Sequence, residues 1–378
     1  MDFALSEDQR AIEAAARAFA AAEMAPHSAR WDEEKHFPVD VLKAAAALGF
    51  GGVYVKEDVG GSALGRLDAA IVFEALAGGD VTTAAFLSIH NMASWMIDAF
   101  GAPPVRSKYL PGLTAMDLIA SYCLTEPGAG SDAAALKTTA RRDGDIYVLT
   151  GTKAFISGAG VSDVYVVMAR TGGEGARGIS TFVVETSMAG VSFGAQERKL
   201  GWASQPTAMV HFDGVRVPAE NRVGDEGEGF RIAMRGLDGG RINIAACALG
   251  GAQLAFDLAR DYLATRRQFG RPLAEFQALQ FRLADMATSL EAARLMVRRA
   301  AAALDLGNPA ATALAAMAKR FATDAAFSVA NDALQLHGGY GYLKDYPLER
   351  IVRDLRVHQI LEGTNEIMRV IIARELLK

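Results

Sequence analysis

The strongest candidate for acid–base chemistry is the carboxylate of Glu362, in the stretch Q-I-L-E-G-T-N-E-I near the C-terminal end of the chain. Apolar Ile360 and Leu361 precede it, and Thr364 can cap a helix whose apolar residues recur at helical spacing. A carboxyl group on a loop beside apolar residues is partly desolvated, which raises its pKa toward the range of a general base. An isolated E-G-T is more often a solvated loop, so the assignment depends on the rest of the chain.

Three glycine-containing motifs can hold a ligand. C-L-T-E-P-G-A-G-S-D at 123–132 ends a predicted strand and exposes hydroxyl and backbone N–H groups, a surface suited to a planar heterocycle or a phosphate. G-T-K-A-F-I-S at 151–157 predicts a strand with Phe155 and Ser157 on one face. Q-L-H-G-G-Y-G-Y-L-K-D at 335–345 allows close approach of the backbone to a ligand. On spacing alone, a tight turn, a half-buried strand and a helix C-cap explain the three motifs equally well.

Several other functional classes are disfavoured by the sequence. No βαβ unit surrounds the glycines and no G-x-x-x-x-G-K-[ST] occurs, so we expect no nucleotide-binding fingerprint. The histidines show no i,i+4 ligand pairing and the two cysteines no C-x-x-C spacing, so we expect no metal site. The net charge of −5 provides no electrostatic footprint for nucleic acid.

The sequence favours a cytoplasmic protein without a membrane span. The stretch M-D-F-A-L-S-E-D-Q-R lacks the features of a signal or transit peptide. The longest uncharged run, 81–97, contains polar residues and is interpreted as a buried helix. Cys123 and Cys247 are far apart in the sequence, which fits a reducing compartment.

The elements that must position these motifs change type twice along the chain. Up to residue 115 the apolar spacing is helical, beginning with a capping box at Ser6 and Gln9, and the last helix is expected to end before Pro103. Between 116 and 225, short β-branched runs and turns predict an antiparallel sandwich or barrel and disfavour a parallel nucleotide-binding sheet.

From 226 to 378 the helical period returns and predicts a four-helix bundle. The glycine pair Gly239-Gly240 is a candidate break in its first helix. The expected fold class is therefore α+β, with an N-terminal helical domain, a central antiparallel β domain and a C-terminal four-helix bundle, at 1–115, 116–225 and 226–378.

This order of units, together with the motifs at 123–132, 335–345 and around Glu362, resembles the acyl-CoA dehydrogenase family over essentially the whole chain. The resemblance implies FAD as cofactor, an acyl-CoA substrate, a homotetramer, and electron transfer flavoprotein as electron acceptor. It implies that Glu362 is the base that takes the Cα proton of the thioester while the Cβ hydride passes to the flavin. The family's hydrogen-bond donors to the thioester oxygen are the backbone N–H of the base and a ribityl hydroxyl of FAD.

The resemblance also assigns binding residues, of which Gln268 and Glu366 are positions where family members differ. The FAD contacts expected in the β domain are Tyr122, Leu124, Thr125, Gly130, Ser131, Phe155 and Ser157. The residues expected to reach the FAD of a neighbouring subunit are Arg266, Gln268, Phe269, Gln277, Gln335, Gly338 and Gly339. Thr364 and Glu366 are expected to contact FAD just after the base. The residues expected to contact acyl-CoA are Ser131, Asp238, Gly239, Gly240, Arg241 and Arg374.

The acyl group is suggested by a closer resemblance within the family. The motifs R-G-L-D-G-G-R-I-N-I-A at 235–245, F-I-S-G-A-G and G-W-A-S-Q-P-T favour isobutyryl-CoA, oxidised to methacrylyl-CoA in valine catabolism. The open alternatives are 2-methylbutyryl-CoA and butyryl-CoA. An acyl-CoA oxidase, a flavin monooxygenase and a non-catalytic acyl-CoA-binding relative also remain as alternatives at this point.

Overall fold

The computed structural model describes residues 4–378 of the chain. The described part begins with helices, and the predicted capping box is present: the N–H of Gln9 donates to the Ser6 hydroxyl at 3.1 Å, and the N–H of Ser6 donates to Gln9 Oε1 at 3.1 Å. The helices before the sheet are α1 (Glu7–Phe19), α2 (Ser28–Glu34), α3 (Val39–Ala47), α4 (Arg66–Ala77), α5 (Val81–Phe100) and α6 (Pro103–Thr114).

Two of these helices were not expected from the sequence. Helix α2 follows a short π-helical turn at Ala20–Met24, which carries the chain on past the end of α1. Helix α6 begins at Pro103, which sequence reasoning took as a stop signal. Proline lacks the N–H that the first helical turn leaves unpaired, so Pro103 and Pro104 start a new helix.

The middle of the chain forms one eight-stranded sheet. Its strands are β1 (Ala120–Cys123), β2 (Thr139–Asp143), β3 (Ile146–Ser157), β4 (Val164–Arg170), β5 (Ile179–Glu185), β6 (Val191–Phe193), β7 (Thr207–Pro218) and β8 (Arg222–Val223). Seven strands follow the order β6-β7-β3-β2-β4-β5-β8, and β1 pairs with β4. The long pairs are antiparallel, as predicted, while β1 runs parallel to β4 with Tyr122 opposite Val166.

The last part of the chain is helical again. It contains α7 (Gly229–Thr265), a small hairpin of β9 (Arg267–Gln268) and β10 (Arg271–Pro272), α8 (Gln277–Asp305), α9 (Ala311–Leu336), α10 (Leu348–Arg356) and α11 (Asn365–Leu376). The predicted break at Gly239-Gly240 is wrong, because α7 is continuous for 37 residues. Both glycines are buried, and neighbouring side chains occupy the space that a Cβ atom would fill, so the close packing at these positions requires residues without a Cβ. Helix α10 was not expected from the sequence.

The helices from both ends of the chain share one hydrophobic core. Helix α7 packs against α4, α5, α8 and α9, and α5 also contacts β1. A buried ion pair between Arg350 and Asp80, 3.0 Å long, ties α10 to the start of α5. The loop that carries Glu362 lies between α10 and α11 and is therefore fixed by both helical parts. The predicted boundaries near residues 115 and 225 fall between elements, and the division into three domains stays a prediction.

Candidate active site

The backbone of Glu362 is in the left-handed region, with φ 59°, and Gly363 follows with φ 91°. Left-handed φ is uncommon for a non-glycine residue and persists where the surrounding structure holds it. The Thr364 hydroxyl accepts a hydrogen bond from the N–H of Ile367 at 3.4 Å and so caps α11, as the sequence predicts. The base candidate therefore sits on a sharply turned loop that is anchored to a helix start.

The carboxylate of Glu362 is half-buried, and its Oε2 atom is shielded from solvent without a hydrogen-bond partner in residues 4–378. A Cβ placed on Gly240 would lie 2.5 Å from Oε2 and 2.8 Å from Sδ of Met92, so these residues form one wall around the acid. Burial raises the pKa of Glu362 to about 7, although the charges of Arg241 and Lys319 oppose the shift. An acid that titrates near neutral pH matches the requirement for a general base.

Arg241 connects the acid to the glycine pair of α7. Its Nη1 is 2.8 Å from Asp238 Oδ1, and its Nε donates to the carbonyl oxygen of Glu362 at 3.2 Å. The Thr312 hydroxyl donates to Asp238 Oδ2 at 2.7 Å. Of the predicted acyl-CoA residues 238–241, Gly240 and Arg241 therefore lie against Glu362, whereas Arg374 is exposed in the last turn of α11.

The opposite wall comes from the end of β1. Tyr122 is half-buried, and its hydroxyl is shielded from solvent without a hydrogen-bond partner among the described residues. Burial, and then the charge of Glu362, raise the pKa of Tyr122 well above its usual range, so the phenol stays neutral. The chain then passes through Leu124 and Thr125 into a turn that is closed by two hydrogen bonds of 3.1 Å between the backbones of Glu126 and Ala129.

A buried ion pair supports this turn. Lys153 Nζ lies 2.9 Å from Glu126 Oε1 and also donates to the Leu124 carbonyl at 3.0 Å. Glu126 accepts the backbone N–H groups of Lys137 and Thr138 at 2.6 and 2.9 Å. Although burial acts in the other direction, Lys153 and these donors lower the pKa of Glu126, so the carboxyl group stays ionised.

Strand β3 brings Phe155 and Ser157 beside the turn. The N–H of Ala154 donates to the Thr125 carbonyl at 2.9 Å. Between Lys153 and Ile156 the pairing with β7 is irregular, and Phe155 has φ 58° with 69% of its side chain exposed. A bulge of this kind re-aims a side chain, which explains why an aromatic ring faces outward here. Ser157 is held by Gln205, whose Nε2 donates to its hydroxyl at 2.6 Å.

The surface between β1 and β3 fits a large planar cofactor. A Cβ on Gly128 or Gly130 would meet no atom within 4 Å, so the turn presents open backbone. Like the Tyr122 hydroxyl, Trp202 Nε1, Gln205 Oε1 and His358 Nε2 are among the buried polar atoms that have no partner in residues 4–378. Native proteins pair most buried polar atoms, so the unpaired Tyr122 hydroxyl on β1 and Gln205 Oε1 beside Ser157 of β3 are consistent with a ligand that supplies the missing partners.

A second group of predicted residues surrounds a different cavity. The cavity has a volume of about 410 Å³ at the end of α9 and the β9–β10 hairpin. The predicted residues that line it are Arg266, Gln268, Gln335, Gly338 and Gly339. Phe269 is 91% exposed with φ 52° and Gln277 is exposed at the start of α8, but neither lines the cavity. Neither does Glu366, which is exposed and lies 3.4 Å from Arg369.

Sequence reasoning missed two side chains close to Glu362. Tyr54 is buried and accepts a hydrogen bond from Asn243 Nδ2 at 3.1 Å, and the charge of Glu362 helps to raise its pKa after burial. Lys319 is buried on α9 among alanines. The available signal for Lys319 was a single charge on the apolar face of a predicted helix, whereas Tyr54 carries no comparable signal.

Comparison with known proteins agrees with this architecture. Three domains of one family match the chain: the acyl-CoA dehydrogenase N-terminal domain at 6–117, the middle domain at 121–215 and the C-terminal domain at 227–377. The chain therefore belongs to the acyl-CoA dehydrogenase family. It is an oxidoreductase of the FAD-dependent type, and the open surface described above fits that cofactor.

Individual relatives are similar over most or all of their length. The mitochondrial isobutyryl-CoA dehydrogenase of Bos taurus is 59% identical over 374 residues, which cover 99% of this chain and 90% of that protein. A chain solved in work on the electron transferring flavoprotein of Acidaminococcus fermentans is 43% identical, with a TM-score of 0.98 and full coverage of both chains. The butyryl-CoA dehydrogenase of Megasphaera elsdenii is 39% identical, with a TM-score of 0.97 and full coverage of both.

Proposed function

We propose that this chain oxidises isobutyryl-CoA to methacrylyl-CoA, a step of valine catabolism, with Glu362 as the base. The observation that carries the proposal is the desolvated carboxylate of Glu362, whose pKa of about 7 suits proton abstraction. The acyl group is supported by the 59% identity to an isobutyryl-CoA dehydrogenase over 99% of this chain. Dehydrogenases for 2-methylbutyryl-CoA and butyryl-CoA are the alternatives that the substrate measurements below distinguish.

In this proposal Glu362 Oε2 takes the proton from Cα of the thioester. Bound FAD would supply the acceptor for the hydrogen that leaves Cβ as a hydride, so the acyl chain would lie between Glu362 and the cofactor. No hydrogen bond within residues 4–378 uses the backbone N–H of Glu362, so this donor is free to bind the thioester oxygen. Such a donor stabilises the enolate-like charge that develops as the proton leaves. The apolar wall at Met92 limits the access of water to the acid.

The proposed FAD contacts come from two places on the chain. Tyr122, Leu124, Thr125, Gly130, Ser131, Phe155, Ser157, Thr364 and Glu366 would hold the cofactor of the same subunit. Arg266, Gln268, Phe269, Gln277, Gln335, Gly338 and Gly339 would reach the cofactor of a neighbouring subunit. For acyl-CoA the proposed contacts are Ser131, Asp238, Gly239, Gly240, Arg241 and Arg374.

A homotetramer is part of the proposal because five of the seven contacts in the second set line a separate cavity. The exposure of Phe269, at 91%, and of Tyr342, at 83%, supports burial of this region in an assembly. The molar mass measured by light scattering tests the expectation. A monomer that binds FAD tightly would contradict both the assembly and the shared site.

Electron transfer flavoprotein is the proposed acceptor. Support comes from the family and from the similarity to a chain solved together with work on such a flavoprotein. The substrate-reduced enzyme should be reoxidised rapidly by electron transfer flavoprotein and slowly by air. Fast reoxidation by air with release of hydrogen peroxide would instead indicate an oxidase.

Cytoplasmic localisation and the absence of a membrane span also belong to the proposal. In residues 4–378 one helix, α7, is long and apolar enough by length and composition to cross a membrane. Its most apolar window is 72% buried inside the protein, which supports its interpretation as a core helix. Cys123 and Cys247 are free and buried, which is compatible with a reducing compartment. Fractionation of cells that express the protein tests both statements.

The central experiment compares Glu362→Gln with the wild-type holoenzyme. We expect the variant to keep FAD and to bind isobutyryl-CoA, but to lose about 10²–10⁴-fold in turnover, the range typical of general-base catalysis. Retained turnover would assign the proton abstraction to another residue. In the wild type, kcat/KM is compared for isobutyryl-, 2-methylbutyryl- and butyryl-CoA, and the highest value should belong to isobutyryl-CoA.

A further inference from the structure

Lys319 is a fully buried lysine directly behind the Glu362 loop. Its exposed fraction is 0%, and Ala315, Ala318 and Ala322 beside it on α9 are buried as well. An ammonium group in such surroundings loses its hydration and persists only where it is compensated by partners. The partners of Lys319 Nζ are the Gly363 carbonyl at 2.8 Å and Asn365 Oδ1 at 2.9 Å. Both belong to the segment that follows Glu362.

Two cations therefore hold two consecutive carbonyl groups. Arg241, from α7, donates to the Glu362 oxygen, and Lys319, from α9, donates to the Gly363 oxygen. Both carbonyls belong to residues with left-handed φ, a conformation that Gly363 adopts readily and Glu362 adopts against the ordinary preference of a residue with a Cβ. Hydrogen bonds from charged donors are the stronger kind, and they fix the direction of these peptide groups and so the orientation of the Glu362 side chain.

Helix α9 holds this segment at further points. Asn365 Nδ2 donates to Asp324 Oδ1 at 2.7 Å and to the Thr323 hydroxyl at 3.0 Å. Gln359 Nε2 donates to Asp324 Oδ1 at 2.8 Å. The loop is thus attached to α9 before and after the acid, and Lys319 makes the attachment nearest to it.

The elements packed around Lys319 all contribute titratable groups to its surroundings. Burial lowers the pKa of Lys319 to about 8, while Glu362, Asp324 and Glu366 raise it and Arg241 lowers it. Lys319 is therefore cationic at neutral pH. Burial lowers the pKa of His358 to about 4, so this neighbour is neutral. Tyr54 and Tyr122, which face Glu362, are neutral because burial raises the pKa of both.

We propose that Lys319 is a positioning residue for proton abstraction: its ammonium group fixes the turn at Glu362 and Gly363, and its charge favours the ionised acid. The ammonium group does not touch the substrate in this arrangement and acts through Glu362. The proposal rests on the proposed role of Glu362 as the base. It adds a residue on a different helix to the set that determines when the base is active.

The test measures the pH dependence of kcat/KM in FAD-loaded Lys319→Met. This variant keeps an unbranched side chain that is one atom shorter and removes the charge and the hydrogen bonds. We expect the midpoint of the acidic limb to move up by about one pH unit, because the charge of Lys319 lowers the pKa of Glu362 and a nearby opposite charge lowers a carboxyl pKa by roughly 1–3 units. At pH 6, kcat/KM of the variant should be about 10-fold lower than it would be with an unchanged midpoint. At high pH the variant should recover part of this loss.

Several variants separate charge from structure. Lys319→Gln keeps a hydrogen-bond donor without the charge and should shift the limb in the same direction, so it carries the test if the Met variant does not fold. Lys319→Arg keeps the charge and should leave the midpoint in place. The matched control is Arg320→Met, which removes the neighbouring cation of α9 that is paired with Asp324 at 3.4 Å. This control should leave the midpoint unchanged.

The outcomes distinguish the two proposals. A purely structural role predicts the same fractional loss of kcat/KM at every pH. Such limbs are resolved to about 0.3 pH unit, so midpoints of Lys319→Met and Lys319→Gln within about 0.3 pH unit of the wild-type midpoint would overturn the inference. If Glu362→Gln retains turnover, the base assignment fails whatever Lys319 does. If Glu362→Gln is inactive and the Lys319 variants show no shift, the inference about Lys319 fails alone.

Discussion

Gly240 and Glu362 are so close that a methyl group on Gly240 would lie 2.5 Å from the Glu362 Oε2 atom. Gly240 thus has a steric function, since it leaves the space that the acid occupies. We predict that Gly240→Ala displaces the carboxylate or the neighbouring Met92 and lowers kcat/KM about 10–100-fold, because small misplacements of a catalytic group are costly. Steady-state kinetics of the FAD-loaded variant check this.

A control for this substitution exists on the same helix. A Cβ on Gly251 would lie 2.5 Å from Cγ2 of Val81, inside the hydrophobic core. Gly251→Ala should therefore lower the thermal stability and leave kcat/KM of the folded enzyme near the wild-type value. Equal kinetic effects of the two substitutions would show that overpacking of α7, and not crowding of Glu362, limits the rate.

The wild-type pH profile should have an acidic limb near neutral pH. Glu362 must be ionised to accept a proton and its pKa is about 7, so kcat/KM should fall tenfold per unit below that value. Burial also raises the pKa of Asp354 to about 7, and this carboxylate accepts the N–H of Trp202 at 2.6 Å. The limb should persist in Asp354→Asn. A limb near pH 4.5 in the wild type would contradict the desolvation of Glu362.

Removing the charge at Glu362 should stabilise the protein at high pH. The pKa of Glu362 in the folded state, about 7, is above the ordinary 4.5. The contribution of this group to stability is therefore fully present at low pH and is lost as pH rises between these values. The free energy of unfolding of Glu362→Gln should exceed that of the wild type by on the order of 2 kcal/mol at pH 8 and match it below pH 4.5. Each pKa unit corresponds to about 1.4 kcal/mol, and the difference is reduced because Glu362 is only half-buried. Urea unfolding at both pH values measures the difference. A variant less stable than the wild type at pH 8 would refute this prediction.

The ion pair of Lys153 and Glu126 should control the retention of FAD. The side chains are 0% and 7% exposed, so removing one partner leaves a buried charge uncompensated, at a cost of about 3–5 kcal/mol in stability. Lys153→Met and Glu126→Gln should each weaken FAD binding, which flavin fluorescence measures, because the pair holds the 124–131 turn. The double variant should lose less stability than the sum of the single losses. Strict additivity would mean that the two groups act independently.

The sequence was sufficient for the parts of the site that depend on local patterns. The apolar residues before Glu362 predicted a desolvated acid, and the Thr364 cap predicted the helix that follows. The family and fold class were also predicted correctly. Helix α10 was missed because its nine residues are too short to show a clear period, and they follow a glycine-rich segment.

The parts that could not be predicted depend on tertiary contacts. Lys319 is separated from Gly363 by 44 residues, and a lone lysine in an alanine-rich helix is more often solvated than buried. The continuity of α7 through Gly239-Gly240 likewise depends on side chains from other elements that fill the space of the missing Cβ atoms. The outward rotation of Phe155 requires the irregular pairing of β3 with β7, and no local sequence pattern predicts this irregularity.

The unbroken α7 fixes the distance between two parts of the protein. Gly240 lies beside the acid in the first third of the helix, and Tyr262, near its end, lines the cavity of about 410 Å³. Twenty-two residues of helix at 1.5 Å each separate the two places by about 33 Å. Inserting or deleting one residue between them would turn one place about 100° relative to the other, so the number of residues in this stretch is constrained more strictly than their chemical nature.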